Sequence, residues 1–267
     1  MRSILFRVPI LHFPIYAYGL MLVVAMFSSL FLARRLAATQ KLPVKPQQLL
    51  DMVVIAMISG VVGARLFYIV KNPDVFLSAP LEVFKIWQGG LVFHGGVAGG
   101  TAGLIWFMRR HQLPVLKMGD LIMPCIMIGL AWGRVGCFLN GCCYGKVSEV
   151  AWTVTFPEGS PAYEWHYHNN LLEEGAQRSL PVHPVQLYAS LTAAAATLAF
   201  AWLCRRKRFD GQIIGIAVVA YGVIRFVLEF FRDDQERILA GLTGSQLFSI
   251  GLFVAGTVFY MMVKPKP

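Results

Sequence analysis

An arginine and three cysteines crowd the stretch GRVGCFLNGCCYG, residues 133 to 145. Thiols at Cys137, Cys142 and Cys143 would suit a soft metal or a redox couple. Arg134 offers a different chemistry: a planar fork that grips phosphate through two parallel bonds and stays charged on burial. Other ionisable residues also stand within or at the edge of apolar runs. They are Arg65, His94, His183, and the pair Arg225 and Glu229, four residues apart on one helical face with Tyr221 one turn earlier. Charges in such places are costly and functional by default. Three arginines against one glutamate leave about two positive charges uncompensated, and that excess requires an anion.

The elements that must position these groups follow from composition. Of 267 residues, 57% are hydrophobic and 14% charged, which does not suit a water-soluble surface. Seven runs have the length of about 20 residues that a helical span needs: 15–36, 48–70, 90–108, 119–138, 184–204, 211–231 and 244–263. They predict an all-α polytopic membrane protein. The first run is longer than a signal peptide's apolar core and is expected to stay in the mature chain.

Basic residues orient the spans, since Lys and Arg are retained on the cytoplasmic side. With the N-terminus outside and the C-terminus cytoplasmic, 13 basic residues fall inside, including the run Arg205 to Arg208, while the outer segments are slightly acidic. The net charge of +10 then reflects topology and contact with anionic membrane lipids, and a nucleic-acid partner is not expected. A single membrane domain is expected, with two larger outer segments. Residues 71–89 form an amphipathic arm carrying Phe84 and Trp87, suited to the headgroup level. Residues 139–183 form a small extracytoplasmic cap in which AWTVTF alternates like a strand. In the third run Gly95, Gly99 and Gly103, and Gly96 and Gly100, recur every four residues, the spacing that lets helices approach closely in lipid.

Placed on these spans, Arg65, His94, Arg134, His183, Arg225 and Glu229 all fall within one or two turns of the outer interface, at about 1.5 Å per residue. The anion natural to that depth is a phospholipid phosphate, which points to an enzyme or transporter that uses lipid. The cysteines keep two alternatives open. One is a metal site completed by His94 or His183, set aside because no CxxC or HxxxH pair is present; the other is a membrane thiol oxidoreductase. Cys125 and Cys204 read as small apolar residues of their helices.

The motifs YAYGLML, FHGGVAGG, HPVQLY and YGVIRFVLEFFR, together with the opening stretch, resemble the bacterial phosphatidylglycerol:prolipoprotein diacylglyceryl transferase family over nearly the whole chain. The resemblance implies seven spans in the bacterial plasma (inner) membrane; no cofactor and no metal are expected. The diacylglyceryl group would pass from phosphatidylglycerol to the lipobox cysteine of a preprolipoprotein signal peptide, with release of glycerol phosphate. It further implies Arg134 and Arg225 as a phosphate clamp, His94 as the base for the acceptor thiol, and Glu229 orienting Arg225 or sharing the proton work. Tyr18, Tyr221, Asn140 and Gly141 would shape a headgroup pocket, Arg65 would add a headgroup contact, and His183 would sit below the cap. The chain departs from the family signature at Cys137, where the pattern has Asn, and at Cys142, where it has Glu. A cysteine of the enzyme would be a dead end as a lipid carrier, because a thioether is a poor leaving group.

Overall fold

Apolar runs become helices here because hydrocarbon offers no partner to a bare peptide group. The computed structural model describes residues 4–7, 14–85, 89–232 and 237–265. Its long helices are α1 (Ala17–Thr39), α2 (Pro46–Lys71), α4 (Phe93–Arg110), α5 (Val115–Asn140), α7 (Val185–Cys204), α8 (Gln212–Glu229) and α9 (Gly244–Val263). Two short helices, α3 (Pro73–Ser78) and α6 (Pro161–His168), and two antiparallel hairpins complete it. The hairpins are β1 (Ile4–Arg7) with β2 (Pro14–Tyr16), and β3 (Arg237–Leu239) with β4 (Leu242–Thr243). Six of the seven long helices are apolar enough to cross a membrane. The seventh expected span, α4, falls short because its 18 residues include five glycines, His94 and a terminal Arg109–Arg110. Large apolar side chains face outward, Leu191, Leu198 and Met262 at 70–79% exposure. This is an all-α, multi-pass membrane protein.

The chain forms two compact units, Ala37–Met118 and the remainder. In the first, α2 and α4 pack backbone to backbone. A Cβ on Gly63 would lie 2.8 Å from the Gly99 Cα, and one on Gly99 would lie 2.8 Å from the Gly63 Cα. The glycine spacing thus serves α2–α4 packing. The described part of the arm folds as α3 and a 3-10 turn, Pro80–Phe84, each opened by a proline. Trp87 lies outside the described residues.

In the second unit, a buried carboxylate organises the start of α8. Gly211, at φ +90°, has no side chain to cap that helix. Asp120, fully buried on α5, supplies the cap from a distance: Oδ1 accepts from the Ile213 and Ile214 amides at 2.9 and 3.1 Å, and Oδ2 from the Gly211 amide at 2.9 Å. Oδ2 also pairs with Lys207 Nζ at 2.7 Å. Burial alone would lower the Lys207 ammonium, but the hydrogen bonds to Asp120 and Asp210 outweigh it and hold it above its ordinary range. Nearby, Pro124 cannot donate to the Asp120 carbonyl one turn back. The Cys204 thiol, 3.4 Å from that oxygen, donates instead, so Cys204 does more than fill space. Beyond this junction α8 and α9 pack antiparallel with Gly222 and Gly256 at the contact, where added Cβ atoms would lie 2.9 Å from the Ser249 carbonyl and 3.0 Å from the Val219 amide.

The cap condenses on Phe156, Ala162 and Val182, all fully buried. AWTVTF makes only isolated bridges, Val154 with Val182 and Pro157 with Arg178 following it, and no strand, because its neighbours are irregular loops. Ser160 caps α6 by accepting from the Tyr163 amide at 3.3 Å. Two buried histidines hold the cap: His166 Nδ1 accepts from the Leu180 amide at 3.3 Å, and His183 bonds the Tyr188 hydroxyl at 3.2 Å. Burial lowers both below the usual histidine range, and Lys146 lowers His183 further. Their folded forms are neutral.

Removing the Asp120 carboxylate strands three amides and Lys207, so Asp120→Ala is expected to cost about 3 kcal/mol or more. Asp120→Asn, which keeps one acceptor oxygen, costs less; unfolding midpoints in detergent measure both. For the histidines, a depressed folded pKa means that stability is full above the unfolded value of about 6.5 and is lost as pH falls below it. Unfolding midpoints at pH 7.5 and pH 5 are expected to show this fall, made shallower by His166→Asn, which accepts from Leu180 without titrating.

Candidate active site

A narrow cleft, with a cavity volume of about 30 Å³, opens between α5, α7 and α8. Its walls are aliphatic, with Met127, Leu130, Ala189, Ile224 and Leu228. Its polar lining is Arg134, Arg225, Arg232, Tyr221 and Thr192. Among the described residues no carboxylate lines it. A surface that pairs alkyl walls with guanidinium groups fits a molecule with acyl chains and a phosphate.

The three arginines are held differently. On α8, Arg225 Nη1 pairs with Glu229 Oε2 at 2.7 Å across one turn, and Nη2 donates to Ser245 Oγ at 2.9 Å. Glu229 is buried, and its Oε1 accepts from Thr243 Oγ1 at 2.9 Å. Thr243 in turn caps α9, reciprocally with Gln246. Oε1 is thus hydrogen-bonded, Oε2 is ion-paired without a hydrogen bond, and the carboxylate links Arg225 to the start of α9. Arg134, half-buried near the end of α5, makes no hydrogen bond or ion pair among the described residues. Its guanidinium remains available to a ligand. Arg232 and Thr192 were not singled out by the sequence. Arg232 closes the motif YGVIRFVLEFFR, and its place seven residues after Arg225, two helical turns, was the available signal.

Asn140 and Gly141 end α5. Gly141, at φ +75°, lets its amide reach the Phe138 carbonyl at 3.2 Å and the Cys142 amide reach the Cys137 carbonyl at 3.1 Å, the double bond of a glycine helix stop. A Cβ there would press on Ser160 and Phe156 at 3.0 and 3.1 Å, so Gly141 also joins α5 to the cap. Tyr18 of α1 packs on Gly136 of α5, where a Cβ would lie 2.9 Å from its ring. It is half-exposed, within the electrostatic reach of Arg134.

The turn brings three thiols together. The Sγ atoms of Cys137, Cys142 and Cys143 lie within 4.8 Å of one another, and none is in a disulfide. The neighbouring Cys137 and Cys142 thiols hold the Cys143 thiol below the usual range, helped by the charges of Arg134 and Arg232.

His183 is packed against Phe231, with ring centroids 5.4 Å apart, and its backbone pairs with Gly145 and Lys146. The Tyr188 hydroxyl accepts from Trp152 Nε1 at 2.7 Å and shares a hydrogen bond with His183 Nδ1 at 3.2 Å. His183 thus anchors the root of the cap. Arg65, in the other unit, is buried, and four of its N–H groups go to the carbonyls of Glu82, Val83, Gly89 and Gly90. Tyr68 and Phe76 rings flank it at 5.4 and 5.3 Å. The arm's carbonyls thus form a backbone clasp around the Arg65 fork. His94 opens α4 in that same unit, exposed on the first turn beside Phe93.

Residues 3–262 match the family model described as prolipoprotein diacylglyceryl transferase. Among similar curated proteins, the phosphatidylglycerol–prolipoprotein diacylglyceryl transferase of Paracidovorax citrulli is 34% identical, over 81% of this chain and 77% of its own length. Its counterpart in Geobacter sulfurreducens is 32% identical over 96% and 93%. That of Pseudomonas aeruginosa is 34% identical over 91% and 86%. The match spans both compact units and includes every residue of the arginine-lined cleft, so the chain belongs to the prolipoprotein diacylglyceryl transferase family.

Proposed function

We infer that this enzyme transfers the sn-1,2-diacylglyceryl group of phosphatidylglycerol to the lipobox cysteine thiol of a preprolipoprotein, releasing glycerol phosphate. The observation that carries the site assignment is Arg134, a half-buried guanidinium without a protein partner among the described residues, in one cleft with Arg225 and Arg232. Family membership and the names of the relatives support the reaction.

In the reaction the thiol sulfur bonds to C3 of the glyceryl unit as the C3–O bond breaks, and that electron pair leaves on the phosphate oxygen. The phosphate passes from one negative charge toward two. Arginines fixed in advance at that oxygen stabilise the transition state more than the bound donor, which is the requirement for catalysis. Arg134 and Arg225 are the clamp, and Arg232 adds to the field. Glu229 is a positioning residue, since its carboxylate holds the Arg225 fork toward the cleft. Tyr18, Tyr221 and Asn140 shape the headgroup pocket, while Gly141 and His183 act by fixing the helix end and the cap. The acceptor thiol, of ordinary pKa about 8.5, needs a base; His94 takes that role by family resemblance.

On this reading seven helices span a bacterial plasma (inner) membrane with the N-terminus outside, and the cleft faces the outer leaflet. The distribution of basic residues supports the orientation, and the partners are membrane lipids and signal peptides rather than nucleic acid.

Release of glycerol phosphate from phosphatidylglycerol, with a lipobox peptide as acceptor, tests the assignment. Arg134→Ala is expected to lower kcat by about 100-fold or more, and Arg134→Lys by less, since it keeps the charge without the fork. Unchanged turnover by Arg134→Ala would remove the clamp. Glu229→Gln is expected to cost about tenfold, mainly in kcat, because Arg225 is bound but no longer aimed; an effect confined to KM would contradict the positioning role.

A further inference from the structure

Beyond the transfer reaction stands the thiol cluster, which no step of that reaction uses. Its three sulfurs come from two backbone devices. The glycine stop at Gly141 folds Cys142 back onto the last turn of α5, with its amide on the Cys137 carbonyl at 3.1 Å. Cys143 then adopts φ +59°, a left-handed conformation uncommon for a side chain of this kind, and its thiol joins the other two. Gln186, fully buried on α7, fixes the turn by donating Nε2 to the Cys142 carbonyl at 2.9 Å. The result is three sulfurs within 4.8 Å, all half-buried, with no disulfide among them.

We propose that Cys137, Cys142 and Cys143 form a trithiolate site for one thiophilic d¹⁰ cation of the Zn²⁺ or Cu⁺ class. Zinc–sulfur bonds of about 2.3 Å place the sulfurs of one shell just under 4 Å apart, so the cluster needs only a small contraction. The charges support it. Binding joins three thiolate sulfurs to the metal and releases whatever protons the thiols still carry. A divalent ion then leaves one net negative charge on the centre. Arg134 and Arg232, whose charges already act on Cys143, offset that charge. Hard cations are disfavoured, since the cluster offers no carboxylate. Spacing alone hides such a site, because Cys137 and Cys142 are five residues apart and are joined by a helix end rather than by a metal-binding knuckle.

The test uses the full chain in detergent, reduced and then freed of metal by a chelator. Equilibrium dialysis against Zn²⁺, with metal counted by mass spectrometry, is expected to give about one ion per chain. Cd²⁺ is expected to give the thiolate-to-metal charge-transfer absorption of three sulfurs. Cys137→Ser, Cys142→Ser and Cys143→Ser, which keep shape, should each weaken binding by about tenfold or more, whereas Cys125→Ser and Cys204→Ser should not. Three single variants keep the test valid if the triple serine variant fails to fold. The proposal is overturned by substoichiometric binding, by binding indifferent to the three serines, or by closure of two of the thiols into a disulfide that persists under the dialysis conditions. None of these readouts depends on transferase activity.

Discussion

A charge inside hydrocarbon must find its partner within the protein, and most of this structure follows from how four charged side chains meet that demand. Arg65 spends its guanidinium on the carbonyls of the arm. Asp120 takes the amides at the start of α8. Glu229 holds Arg225 and, through Thr243, the start of α9. Each of these charges fastens a place where regular backbone begins or is interrupted. Arg134 is different, because the described residues give it neither carbonyl nor carboxylate, and the cleft around it is the consequence.

That difference separates two kinds of work. Arg225 is a cation pinned from behind by a carboxylate, so its direction is set but part of its field is cancelled. Arg134 has no such carboxylate behind it among the described residues, and Arg232 stands in the same cleft. A phosphate entering the cleft therefore meets one guanidinium that is aimed and others that attract. The aliphatic walls from α5, α7 and α8 remove water from the same place, which strengthens both effects. Binding the alkyl portion and holding the phosphate are thus tasks of one cleft rather than of two sites.

How much of this was legible in the sequence depended on the partner of each group. Arg134, Arg225, Glu229 and Tyr221 were visible because charge or phenol inside an apolar run is rare. Arg232 was not, because just beyond the helix end it reads as an ordinary outer base. Asp120 and Arg65 bind backbone amides and carbonyls, which every residue carries, so nothing in the sequence marks what they hold. The spans were legible from length and hydropathy, except that α4 trades apolar character for glycine. AWTVTF has the alternation of a strand but no neighbouring strand to pair with. The positive φ that makes Gly141 the stop of α5 is a backbone property that the sequence alone does not mark. The thiols were separable into neighbours only once that stop was seen.

The α2–α4 contact carries a consequence of its own. Membrane helices form before they associate, so the backbone freedom that glycine surrenders is lost at insertion and not at docking. Gly63, Gly95 and Gly99 bring no side-chain rotamers to the seam, so only neighbours such as Phe67 and Ser59 lose freedom there when the two helices meet. The joint is therefore made at little entropic cost and admits no gradual loosening: a single methyl group would have to part the backbones. Such a seam behaves as a weld, and the carbonyl-clasped arm and the first turn of α4 are carried by one stiff piece.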